Sequence, residues 1–231
     1  MGLSREISIR EFMCFSATAS FTAGATLSAL GVATLTQISS RRELLLGIFP
    51  LLFAIQQFSE GLVWLTLGQT SLNSINSLVT YSFLFFATGV WPILCPLSVY
   101  LLESNLLKRK TILGIVVGGI ALGLYLFACV VTHGVASEKF SGNLLYNLKF
   151  IPFYELDKYL YLIVTVVPFI IATDRRIKLF GAFSLLSFGI TEIFYKVTFV
   201  SVWCFFAAVL STALYFIFRD LKHKVIKVAG E

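Results

Sequence analysis

The sequence predicts an all-α, polytopic membrane bundle of about seven transmembrane helices, and three observations carry that expectation. Hydrophobic residues make up 58% of the 231-residue chain and charged residues 13%, a balance too apolar for an ordinary soluble domain. The apolar residues come in runs close to the roughly 20 residues that a helix needs to cross about 30 Å of hydrocarbon. The basic residues cluster between those runs. There they act as topology signals rather than as a nucleic-acid surface, although the net charge is +6.

The runs cover 14–38, 44–67, 75–102, 111–131, 159–173, 177–197 and 199–218. The fifth is short, and the sixth and seventh are nearly continuous. This division gives an N-terminal extension at 1–13, a seven-helix domain at 14–218 and a basic tail at 219–231. The first run is longer than the apolar core of a secretory signal, and the mixed charges before it make no basic leader, so it reads as an uncleaved first helix.

With seven spans, Arg41 and Arg42, Lys108, Arg109 and Lys110, Arg175, Arg176 and Lys178, and Arg219, Lys222, Lys224 and Lys227 share one side. The positive-inside rule makes that side cytoplasmic, with the N-terminus outside and the C-terminus inside, in the inner (plasma) membrane. The opposite side mixes Lys139, Lys149 and Lys158 with Glu138, Glu155 and Asp157. Its longest connection, 132–158, carries Leu144, Tyr146, Phe150 and Ile151 among polar residues, a composition suited to an interfacial segment or lid.

A shift of 134 residues superimposes Arg41, Arg42, Leu45, Gly47, Phe49, Leu51 and Leu52 on Arg175, Arg176, Leu179, Gly181, Phe183, Leu185 and Leu186. Both segments follow an odd-numbered span. The division this points to is a 3+1+3 parallel repeat, two triplets joined by a linker helix. Within the helices, Ser16, Ser20, Gly24 and Ser28 form one stripe of small residues. Gly114 and Gly118, then Gly119 and Gly123, form another pair of close-packing sites. Trp91, Pro92 and Pro96 predict a kink or unwound turn.

Ionisable groups inside spans carry the functional expectation, because a charge in lipid must face a partner or a wet cavity. At 1.5 Å per residue Glu60 lies about 24 Å above Leu44 and Glu192 about 22 Å above Ile177, so both reach the outer part of the membrane. Gln56, Gln57 and Trp64 share neighbouring helical faces with Glu60, and Lys196 follows Glu192 by one turn. The expected ligand site is a polar cavity open to the outside, lined by Ser16, Gln56, Gln57, Glu60, Glu192 and Lys196. Cys204 is at a compatible depth, as is Cys14. The four cysteines, Cys14, Cys95, Cys129 and Cys204, show no Cys-x-x-Cys spacing. His133 and His223 fall on opposite sides of the bilayer, so neither a metal nor another cofactor is assigned.

Several seven-helix families are excluded by what the spans lack. The last span has no lysine for a retinal Schiff base, no Pro-Gln dipeptide occurs, and the membrane histidines of seven-helix zinc hydrolases are missing. MCFSATAS at 13–20, QFSEGLVW at 57–64 and SVWCFFAA at 201–208 together resemble an uncharacterised family of bacterial multi-pass membrane proteins. The resemblance implies that Cys14, Glu60, Trp64, Trp203 and Cys204 are signature positions and that residues before Met13 are additional. It also implies that Gln56 stands where relatives often carry histidine. It assigns no chemistry to any of them. The functional expectation is a small-solute or ion transporter whose partners are the lipid bilayer and its solute, not nucleic acid. The alternatives are a membrane-embedded enzyme using Glu60 as base and Cys14 or Cys204 as nucleophile, and a sensor or assembly partner using the outer connection and the tail.

Overall fold

A computed structural model describes residues 16–229, with side chains through Lys222; the extension assigned to 1–13, Cys14 and the His223 side chain lie outside the described residues. The first span is α1 (Ala17–Leu35). The second is α2 (Leu44–Gly47) followed by α3 (Phe49–Thr66), and the third is α4 (Asn73–Leu84), a π turn at Phe85–Val90, and α5 (Trp91–Leu102). Then come α6 (Leu106–His133), the strands β1 (Ser137–Phe140) and β2 (Asn143–Tyr146), α7 (Tyr154–Ile171), α8 (Arg175–Phe194), α9 (Phe199–Ser211) and α10 (Ala213–Ala229). Six of these stretches are long and apolar enough to cross a membrane. The seventh, α7, has 18 residues and carries Glu155, Asp157 and Lys158 near its start.

Capping explains where several boundaries differ from the apolar runs. Asn105 accepts hydrogen bonds from the Leu107 and Lys108 amides at 3.1 Å each, so α6 begins at Leu106 and not at 111, with its lysines inside the first turns. Asp174 does the same for α8 through Arg176 and Ile177. The tail assigned to 219–231 continues the last helix, since α10 runs to Ala229. Lys222 reaches back to cap α1, donating to the Thr36 carbonyl at 2.8 Å.

The predicted interruption near Trp91 takes the form of the π turn just before it, with Pro92 at the start of α5 and Pro96 inside it. Proline has no N–H, so Pro96 leaves the Pro92 carbonyl without its helical donor. Gly119 of α6 sits directly on that carbonyl: a Cβ there would lie 2.1 Å from the oxygen. Gly123 meets the Gly89 carbonyl in the same way, whereas Gly114 and Gly118 face nothing within 4 Å. Of the two expected pairs, only Gly119 and Gly123 mediate close packing. On α1 the buried stripe is Ser20, Gly24, Leu27, Gly31 and Thr34, continuing past Ser28 to the end of the helix.

Helices α1 and α3 pack together, as do α7 and α8. Helix α5 packs on α7 and α10 on α1, while α6 lies along α5 and α7. The connection at 132–158 folds as a hairpin. Ser141 and Gly142, both at positive φ, make a two-residue turn of the kind that suits tight antiparallel strands, with Phe140 opposite Asn143. Leu144, Tyr146, Leu148 and Ile151 are buried, so the hairpin and its sequel cover one end of the bundle, the end expected to face outward.

At the opposite end Glu103 clasps two connections. Its carboxylate accepts from the Asn105 amide at 2.8 Å, the Thr173 amide at 2.8 Å and the Thr173 hydroxyl at 2.7 Å. Burial by itself pushes this carboxyl up, but these donors and the Lys108 ammonium more than reverse it and hold it below its ordinary value. A carboxyl depressed on folding contributes stability that is full above its unfolded value and is lost as pH falls through the folded one. Glu103→Gln is therefore expected to lower the thermal stability of the detergent-solubilised protein at neutral pH by about 1–3 kcal/mol. The gap from the parent chain should close as both are acidified below the ordinary carboxylate range. A constant gap at every pH would show that the charge is not what holds the clasp.

Candidate functional site

Helix α3 turns Gln56, Gln57 and Glu60 inward, and all three are at most 2% exposed. The Glu60 carboxylate accepts from the Ser201 hydroxyl at 2.5 Å and, more loosely, from the Gln57 amide at 3.5 Å. Gln56 accepts from the Trp91 indole at 2.8 Å, tying α3 to the start of α5, where Trp91 stacks on Phe53. The Cys204 thiol lies beside Gln56 and near Glu60. From the hairpin, Tyr146 closes the cluster over Phe83, with ring centroids 4.8 Å apart. Its hydroxyl is pushed well above its ordinary range by burial, with smaller contributions from Glu60 and Cys204. Several polar atoms here have no hydrogen-bond partner: Gln56 Nε2, Gln57 Oε1, Trp64 Nε1 and the Tyr146 hydroxyl. Each is costly where no water reaches it.

Two adjoining cavities run beside this cluster. The outer one, of about 60 Å³, is lined by Tyr154, Asp157, Lys158, Phe199 and Thr88, among others. The inner one, of about 50 Å³, is lined by Trp91, Cys95, Thr165, Phe169 and Ser184. Tyr161, Trp203 and Cys204 border both. On α7 the lining residues Tyr154, Asp157 with Lys158, Tyr161, Thr165 and Phe169 follow one another at three or four positions, which is one face of a helix. From Tyr154 to Phe169 that face extends about 22 Å at 1.5 Å per residue. The walls are mainly apolar, and those of the inner cavity are rich in aromatic residues. Tyr161 is fixed by its hydroxyl, which donates to the Ala87 carbonyl in the π turn, and Trp203 packs edge-on against Tyr161. The π turn thus points one carbonyl at the partition between the two cavities, a backbone acceptor that a regular helix would have kept for itself.

At the outer mouth Lys158 is buried, with its ammonium 2.6 Å from Glu155 and 2.9 Å from Glu192. Lys196, expected to neutralise Glu192, is 3.8 Å from it and largely exposed. Lys158 is the nearer partner because α7 packs directly on α8, a pairing across helices that spacing within α8 could not reveal.

The expected set therefore does not gather into one polar cavity. Gln56, Gln57 and Glu60 form a buried cluster beside Cys204, and Trp203 and Cys204 line the cavities. Glu192 and Lys196 belong to the mouth without lining either cavity. Ser16 caps α1 through the Ala19 amide and lies in a separate groove, with Thr22 and Phe205, between α1 and α9. Trp64 packs under the hairpin, with Lys139 over its ring. Sequence reasoning missed Asp157, Tyr161 and Thr165, and it took Lys158 for a loop charge. The detectable signal was the three-to-four-residue spacing of these polar and aromatic residues, which continues upstream of the apolar run at 159–173. Among the described residues no group of three histidine, cysteine, aspartate or glutamate side chains could hold a metal ion.

A family model matches residues 13–228, and it describes a family of unknown function (DUF6629). No curated protein and no solved structure matches the chain.

Proposed function

The chain belongs to that family of unknown function, and from its site we propose that it is a small-solute transporter of the plasma membrane, with its N-terminus outside and its C-terminus in the cytoplasm. The observation that carries this reading is the string of two cavities, which follows one face of α7 for most of a bilayer's thickness between the two helix triplets. Transport folds built from repeats place their solute near the midplane, at the repeat interface and beside interrupted helices. The α5–α7 and α10–α1 contacts, together with the π turn, support such an arrangement. The basic clusters support the orientation. Glu60, held by Ser201 and Gln57 next to Cys204, supplies the ionisable group through which a proton or cation would drive the solute.

Access to Cys204 tests the path without knowledge of the solute. In a chain whose other cysteines are replaced by alanine, a small membrane-impermeant methanethiosulfonate added to the outer side of sealed cells should modify Cys204. Filling the outer cavity by Thr88→Phe should slow that reaction at least tenfold. A Cys204 that stays unreactive while Phe153→Cys, at a position 80% exposed, reacts under the same conditions would remove the path.

A further inference from the structure

The outer cavity combines two features that the transport reading leaves unused. Asp157 lines it and is only 9% exposed, yet one carboxylate oxygen is buried with no hydrogen-bond partner. A buried carboxylate oxygen without a partner is expensive and calls for a donor, whether a proton, a water or the cationic group of a ligand. Around it stand Tyr154, Tyr161, Phe199 and Trp203, four aromatic side chains whose ring faces attract cations.

The neighbouring charges do not cancel Asp157. Lys158, the adjacent cation, is committed to Glu155 and Glu192. Lys196 is directed to Glu192 and lies in solvent. Lys149 also acts on Glu155, so the lysines of the mouth are directed at Glu155 and Glu192, and Asp157 is the carboxylate left without a cation of its own. An anionic solute would therefore meet a lysine already neutralised twice over. The wall already accommodates one ammonium: Lys158 Nζ lies 5.6 Å from the centroid of Phe199, within the range at which a ring face attracts a cation.

We propose that the outer cavity binds the ammonium group of an organic cation, with Asp157 as its counter-ion and Tyr161, Phe199 and Trp203 as its aromatic cage. The apolar part of the solute extends past Trp203 into the inner cavity. This assignment of a substrate class rests on the transport reading. The inner cavity suits an aromatic or aliphatic body, since Phe49, Phe53, Trp91, Phe169 and Phe180 are among the residues of its wall. Its polar groups, Thr165 and Ser184, are neutral hydroxyls already turned onto backbone carbonyls of their own helices.

The test is calorimetric titration of the full chain in nanodiscs with 2-phenylethylammonium, and with 2-phenylethanol and 3-phenylpropionate as neutral and anionic counterparts of similar size. The cation should bind at least tenfold tighter than either counterpart. Asp157→Asn should remove that preference while leaving weak binding of the neutral compound, and Asp157→Glu should keep the preference, which separates a lost counter-ion from a misfolded chain. Equal binding of the neutral compound, or a preference unchanged in Asp157→Asn, overturns the cation assignment and leaves a solute site standing. If none of the three compounds binds, the cation assignment falls. The transport reading then stands or falls separately on the reactivity of Cys204, which needs no solute.

Discussion

Gly119→Ala is expected to destabilise the bundle by about 3 kcal/mol, because its single added carbon has nowhere to go. The Cβ would lie 2.1 Å from the Pro92 carbonyl oxygen and 3.1 Å from its carbon, and both belong to a backbone held by two prolines and a π turn. A flexible side chain could swing aside, whereas this carbonyl could move only by separating α5 from α6. That separation would also shift the Ala87 carbonyl that fixes Tyr161, so the cavities should lose their shape along with the bundle's stability. Gly118→Ala, one residue away, places its carbon in open space and should be neutral. Thermal unfolding of the two variants in detergent makes the comparison. Equal stability would mean that α6 does not approach α5 through Gly119.

Glu60→Gln should reduce gradient-driven solute accumulation in proteoliposomes to background, a loss of at least tenfold, while expression and thermal stability stay near those of the parent. Glutamine has the same shape and keeps an oxygen to accept from Ser201, so the packing of α3 against α9 survives. What disappears is the capacity to take up and release charge. Glu60→Leu is the structural control. It leaves the Ser201 hydroxyl and the Gln57 amide without their acceptor in a buried site, which should cost about 1–3 kcal/mol for each orphaned group. Undiminished gradient-driven uptake by Glu60→Gln would exclude the carboxylate from coupling. A variant as unstable as Glu60→Leu would make it a packing residue.

The outcome for individual residues shows how far a sequence of this kind can be read. Glu60, Gln56 and Gln57 were legible as a buried polar group because three polar side chains within an apolar run have few places to go. Cys204 was reached by its depth and Trp203 through resemblance, and they do border both cavities. Asp157 and Lys158 were overlooked because they precede an apolar run and counted as loop charges. The helix extends upstream to Tyr154, and only its packing on α8 reveals that Lys158 pairs with Glu192. Ser16 was drawn into the site as a hydroxyl of the small-residue stripe on the first helix, and the helix it caps places it in a different groove.

The sequence by itself determined that this chain forms an all-helical bundle with spans long and apolar enough for a membrane, because backbone groups in lipid must be satisfied within each segment. It also set the interruption at Trp91, since proline removes a donor wherever the chain lies. Tertiary structure alone decided which helix faces meet. The choice of Gly119 over Gly118, the Lys158–Glu192 pair, the burial of Tyr146 over Glu60 and the line of cavities along α7 all depend on contacts between residues far apart in the chain. Lipid gives no apolar gradient from one side of a helix to the other, so hydrophobic periodicity cannot mark the inward face, and packing must choose it.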